Sequence, residues 1–111
     1  MIPKSVMCGN ELTVYLSGDI DHHSARKIRE ATDALIQQNQ PGVLKLNFGG
    51  VNFMDSSGIG LIMGRYRMML LYGGSVKVVN VPDNLRRIME LSGLSSLNVF
   101  ERSGEFCESV K

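Results

Sequence analysis

The 111 residues carry 12 Lys and Arg against 11 Asp and Glu, a net charge of +1, which excludes the bulk basic excess of a typical nucleic-acid binder. Hydrophobic residues make up 43% and charged residues 21%, a globular balance that argues against a disordered chain. The length fits one domain, residues 1–111, large enough for its own core.

Cys8 and Cys107 stand at opposite ends of the chain. With no CxxC and no ligand-spaced histidine, they read as free thiols in a reducing compartment rather than as a metal site or disulfide framework. Met1 to Glu11 lacks the basic region and apolar core of a signal peptide, and no run approaches a membrane span, so the expected location is cytoplasmic.

In chain order, Ser5 to Cys8 is a short strand and Gly9-Asn10 a turn. Leu12, Val14 and Leu16 alternate at period two, which predicts a strand over Leu12 to Leu16 and hence a hairpin. Gly18-Asp19-Ile20-Asp21 ends that strand, and Asp21 is placed as N-cap for a helix over His22 to Gln38. Ala25, Ile28, Ala31 or Thr32, and Leu35 form its buried side, with Arg26, Lys27, Arg29, Glu30 and Asp33 on the other. Pro41-Gly42 lies just past its end.

Val43 to Phe48 predicts a buried strand, with Gly49-Gly50 allowing a bend before Val51 to Met54. The stretch Met54-Asp55-Ser56-Ser57-Gly58-Ile59-Gly60 then joins strand to helix, and Asp55, Ser56 and Ser57 are expected in the first helical turn. Oxygen-bearing side chains are favoured there because they accept from backbone N–H groups that have no partner within the helix. A phosphate carried by a hydroxyl in that turn would lie near such donors.

From Ile59 the apolar stripe Ile59, Ile62, Met63, Tyr66, Met69 and Leu70 predicts a packed helix to Leu71. Met68 and Leu71 fall off that stripe and are expected as exposed contacts. Gly58, Gly60 and Gly64 each cost roughly 1 kcal/mol inside a helix, which points to close backbone approach, to the sheet beneath or to a partner above. Ser75 to Val81 is a further strand. Pro82-Asp83 opens a short helix that Ser92-Gly93 ends, and Leu97 to Phe100 is a last strand. Arg102 to Lys111 is a docked helix or a frayed tail. The order β-β-α-β-α-β-α-β(-α) implies an α/β fold with a mixed, largely parallel sheet of four to five strands and three to four helices.

Enzymatic motifs are incomplete. The residues two before Ser56 and Ser57 are Met54 and Asp55, so there is no G-x-S-x-G elbow. Gly58-Ile59-Gly60 is followed by Gly64, one residue late for a dinucleotide loop, and no acidic residue follows at the required distance. The adjacent His22 and His23 read as surface or capping residues, and Arg65, Arg67, Arg86 and Arg87 as solvated helix faces. An anion or nucleotide sensor built on the helix start at Ser56 stands as the alternative to a protein-binding switch.

Four segments carry a resemblance: Gly18-Asp19-Ile20-Asp21-His22-His23, Asn52 to Gly60, Gly64-Arg65-Tyr66 and Leu91-Ser92-Gly93-Leu94. In order and spacing they closely resemble the anti-sigma factor antagonists of the STAS domain family, above all those of sporulation pathways in spore-forming bacteria. The resemblance implies a STAS-like fold and a non-enzymatic switch with no catalytic residue, cofactor or metal. In that family the serine directly after the motif aspartate is phosphorylated by an ATP-dependent serine kinase that is also the anti-sigma factor, and a serine phosphatase reverses it. By position the acceptor is Ser56. The unphosphorylated form binds the kinase and releases the sigma factor; phosphorylation abolishes binding. Partner binding is implied for Asp21, Asp55, Ser56, Ser57, Gly58 and Gly60, with no role for nucleic acid or membrane. Ser57 is implied to be structural, although the sequence leaves it open as a second acceptor.

Overall fold

The computed structural model describes residues 3–97 and 99–100. Strand β1 (Lys4–Cys8) turns back through Gly9, at φ +61°, into β2 (Glu11–Ile20), and the two pair antiparallel from Lys4 opposite Tyr15 to Cys8 opposite Glu11. Helix α1 (His22–Asn39) leads to β3 (Val43–Met54), and α2 (Ser56–Leu71) to β4 (Ser75–Val79). Helix α3 (Asp83–Leu91) and a 3-10 helix (Leu94–Leu97) follow. The sheet order is β1-β2-β3-β4, with β2, β3 and β4 parallel. This is the expected mixed α/β architecture.

Two successive β-α-β connections step across the sheet in the same direction. Right-handed crossovers therefore put α1 and α2 on one face. Leu12, Val14 and Leu16 of β2, Leu44, Leu46 and Phe48 of β3, and Val76 and Val78 of β4 are buried and, at period two, share a face. Ile28 and Ile36 of α1 join them in the core, with Leu61, Ile62 and Met69 of α2 and Leu85 and Met89 of α3.

Four boundaries differ from expectation, the simplest being β4, which ends at Val79 rather than Val81. Strand β2 does not end at Leu16 but runs through Gly18, at φ +78°, to Ile20, because β3 offers it partners from Gly50 to Met54. Nor does Gly49-Gly50 break β3. Between the Tyr15–Asn47 and Ser17–Gly50 pairs, and again between Gly18–Val51 and Asp19–Phe53, β3 advances one residue more than β2. These are β-bulges, which absorb an extra residue and increase local twist. Gly50 is tight against β2: an added Cβ would lie 3.1 Å from the Leu16 carbonyl oxygen. The expected last strand is reduced, among the described residues, to a single bridge between Val78 and Phe100.

Cys8 is disulfide-bonded, which corrects the expectation of a free thiol. It belongs to the β1–β2 turn end of the sheet, opposite Glu11. Cys107 and the expected terminal helix over Arg102 to Lys111 lie outside the described residues. Among those described, no helix is long and apolar enough to cross a membrane.

Candidate functional site

The carboxyl ends of β2 and β3 are joined side by side, Ile20 opposite Met54. The next residue in each case is an aspartate that caps a helix. Asp21 (φ −111°, ψ −171°) caps α1 and Asp55 (φ −97°, ψ −169°) caps α2, in nearly the same backbone conformation. A further hydrogen bond ties the two turns, since the Asp55 N–H donates to the Ile20 carbonyl at 3.1 Å. Strand pairing thus puts two helix N-termini and two carboxylates at one edge of the sheet.

Asp21 forms a capping box. The Ser24 N–H donates to Asp21 Oδ1 at 2.9 Å, and the Asp21 N–H donates to Ser24 Oγ at 2.9 Å. The Ser24 hydroxyl also donates to the Asp19 carbonyl at 2.9 Å. Hydrogen bonds from the Ser24 backbone and then its side chain hold the Asp21 carboxyl below its ordinary pKa, because they favour the charged form. The carboxylate itself is exposed.

At α2 the cap is Asp55, not one of the serines. Its Oδ1 accepts from the Ser57 N–H at 2.8 Å, and the Gly58 N–H donates to the Asp55 carbonyl at 3.0 Å. Two first-turn donors are therefore already engaged, fewer than the open cluster expected for an anion. Ser56 is the first helical residue and is exposed, and among the described residues no hydrogen bond holds its Oγ. Ser57 is half-buried and linked to Asp55 through its backbone.

The glycines divide by surroundings. Gly58 is buried, and a Cβ there would lie 2.2 Å from Cγ and Sδ of Met54, itself 1% exposed. This is the close approach to the sheet side. Gly60 is exposed, and a Cβ on it or on Gly64 would meet nothing within 4 Å. Nothing within the described fold requires glycine at those two positions.

The buried side of α2 is Gly58, Leu61, Ile62, Arg65 and Met69. It is turned from the expected stripe: Ile59, Met63 and Tyr66 are half-buried and Leu70 is 55% exposed. Leu71, expected outside, is 85% exposed, whereas Met68 is half-buried. Arg65 is the largest correction. Expected on a solvated face, it is 6% exposed, with Nε 2.9 Å from Asp33 Oδ1 of α1. Neither atom makes a hydrogen bond of good geometry, and Arg65 Nη1 is buried without an acceptor. Desolvation is the dominant influence on both partners, raising the Asp33 pKa and lowering that of Arg65.

A cleft of about 750 Å³ opens beside Asp21, between Lys4, Tyr15 to Asp19 and the α1 residues His23, Ser24, Lys27 and Ile28. Ser56 and Ser57 do not line it.

Residues 4–109 match the STAS domain family. The chain belongs to that family. It is 40% identical over 83 residues to an anti-sigma F factor antagonist of Paenibacillus polymyxa, covering 75% of this chain and 71% of that relative. Among solved structures it resembles the anti-sigma factor antagonist SpoIIAA in its unphosphorylated form, with a TM-score of 0.81 and 29% identity over 93% of this chain and 89% of that one. The phosphorylated form of SpoIIAA, a Bacillus cell fate determinant, gives a TM-score of 0.73 at 29% identity, covering 93% and 92%. As expected, these relatives are named as regulators and not as enzymes.

Proposed function

We propose that this STAS domain is a cytoplasmic anti-sigma factor antagonist switched by phosphorylation of Ser56. The unphosphorylated chain binds an anti-sigma factor that is also an ATP-dependent serine kinase, and the sigma factor is released. Phosphorylation of Ser56 ends the interaction, and a serine phosphatase restores it. The partner-facing residues in this reading are Asp21, Asp55, Ser56, Ser57, Gly58 and Gly60.

The observation that carries the reading is the exposed Ser56 hydroxyl at the head of α2, directly after a carboxylate committed to its cap. A phosphoserine adds about −1.5 to −2 charges next to Asp55, at the sheet edge that also carries Asp21. A partner surface matched to a neutral hydroxyl then meets like-charge and desolvation costs of a few kcal/mol, about two decades or more in affinity. No rearrangement of the fold is required. The same cap disfavours the anion-sensor alternative, because Asp55 already occupies the Ser57 N–H. Cys8 is at the other end of β2 from Ile20 and Asp55.

The test is phosphosite mapping after incubation with the anti-sigma F factor of Paenibacillus polymyxa and ATP. One phosphate on Ser56, absent from Ser56→Ala, is expected. Phosphorylation of Ser56→Ala at the wild-type rate would refute the assignment, and a phosphate found on Ser57 would move the acceptor there.

A further inference from the structure

Helix α2 is apolar on nearly every side. Ile59, Leu61, Ile62, Met63, Tyr66, Met68, Met69, Leu70 and Leu71 occupy most of its circumference, and the polar strip is narrow, the exposed Ser56, Gly60 and Arg67. The roll of the helix about its axis then needs another determinant, and two are present. Gly58 fits closely over Met54 at the head of the helix. Arg65, two turns further on, is drawn into the interface with α1 by Asp33.

The angular relation to the acceptor follows from helix geometry. Ser56 precedes Arg65 by nine residues, and at about 100° per residue this is half a turn beyond two full turns. Gly58 precedes Arg65 by seven residues and lies within about 20° of it. Burying Gly58 and Arg65 together therefore turns Ser56 to the opposite, outward side. Gly60, five residues before Arg65, lies about 140° from it, also outward. The exposures agree: Gly58 and Arg65 are buried, and Ser56 and Gly60 are exposed.

The ion pair is poorly suited to a role in stability. Its closest atoms are not in hydrogen-bond geometry and Arg65 Nη1 has no acceptor. Burial outweighs mutual attraction for both charges. Buried ion pairs often lose to apolar replacements in stability while constraining register. The neighbouring Arg29 of α1 is exposed, and its charge favours the Asp33 carboxylate while opposing Arg65.

We propose that Asp33 and Arg65 are positioning residues, a pair that sets the roll of α2 and so presents Ser56 outward for phosphoryl transfer. The presentation role rests on Ser56 being the acceptor; the setting of the roll does not. Without the pair, α2 samples several rolls, and the docking-competent fraction of the protein falls. A fall in competent fraction raises the apparent dissociation constant in proportion, so the effect belongs in KM more than in kcat.

Two variants test this: Asp33→Asn, which keeps shape and removes the charge, and the double variant Asp33→Leu with Arg65→Met, which keeps an apolar interface without a directional pair. Amide spectra over 56–71 are compared with those of β2 and β3, and phosphorylation is measured with the anti-sigma F factor of Paenibacillus polymyxa and ATP. The expected result for both variants is shifted or multiplied amide signals in α2 with the sheet unchanged, and a KM raised about tenfold with kcat within about twofold. The double variant should show this loss even if its melting temperature rises, which a purely stabilising pair would not produce. Unchanged α2 signals, or an unchanged KM in variants that are folded, would overturn the proposal. If the wild type is not phosphorylated at all, the functional reading fails, and the amide spectra alone decide whether the pair sets the roll.

Discussion

The Asp55 N–H donates to the Ile20 carbonyl at 3.1 Å, so the cap of the second helix is bonded to the residue that precedes the cap of the first. The head of α2 is thereby fastened to the strand beside it as well as to its own strand. Removing the cap and removing its charge are separable. Asp55→Ala should lower stability by about 1 kcal/mol, the usual cost of losing an N-cap. Asp55→Asn keeps an acceptor for the Ser57 N–H and should cost less, which chemical denaturation of the two variants would check. Asn also removes the carboxylate beside Ser56, so the phosphorylated Asp55→Asn variant should retain more affinity for the kinase than the phosphorylated wild type.

Asp21 provides a proton-linked reading of the first cap. Its carboxyl is held below the ordinary value, first by the Ser24 backbone and then by the Ser24 side chain. A depressed carboxyl contributes stability that is present above the unfolded-state pKa of about 3.9 and lost as pH falls through the folded value. Ser24→Ala removes the side-chain part, so the Asp21 carboxyl resonance should titrate at a higher pH in that variant. A titration midpoint that did not move would contradict the capping-box account.

The glycines separate fold from partner. Gly58→Ala drives a Cβ into Met54, and overpacking of this kind costs about 1–3 kcal/mol, partly offset by the roughly 1 kcal/mol gained in helix propensity. Gly60→Ala meets nothing and should stabilise the isolated chain by up to about 1 kcal/mol while weakening kinase binding. Melting curves and a binding titration on the same pair of variants check both halves.

How much of this was legible in the sequence depends on how strongly each pattern constrains its element. Strict alternation at Leu12, Val14 and Leu16 placed the first half of β2, and the Asp21 cap before a one-sided helix placed α1. The motif at Met54 to Gly60 located the strand-to-helix junction. The buried face of α2 was not legible, because a helix apolar on nearly every side satisfies several stripes equally. The close fit of Gly58 over Met54 and the contact of Arg65 with Asp33, which sequence spacing along α1 assigned to the solvent side, select among them. The glycine pair at Gly49-Gly50 reads as a bend in isolation, but pairing with Ser17 and Gly18 turns it into a bulged continuation of β3. The head of α2 offers fewer open donors than its sequence suggests for a local reason, since Asp55 Oδ1 already accepts from the Ser57 N–H.

The Arg65–Asp33 pair also has a signature in stability. Replacing both by Met and Leu should leave stability unchanged or raise it by about 1 kcal/mol, the low end for buried pairs given apolar substitutes, because the Asp33 side chain is 31% exposed. The Asp33 pKa is raised, so its favourable contribution is complete below the unfolded-state value and is lost as pH rises through the folded one. The advantage of the double variant should therefore grow as pH increases across that window. Denaturation midpoints of the two proteins, compared from about pH 3 to pH 6 around the usual carboxylate range, check the sign.

The central claim is that a phosphate on Ser56 controls partner binding through local charge. The most direct measurement is a titration of the anti-sigma F factor of Paenibacillus polymyxa with the unphosphorylated protein and with the same protein phosphorylated at Ser56. A loss of affinity of two decades or more on phosphorylation, with the backbone amide signals away from α2 and the Asp21 turn unchanged, is the predicted result. Equal affinity for the two forms would contradict the account.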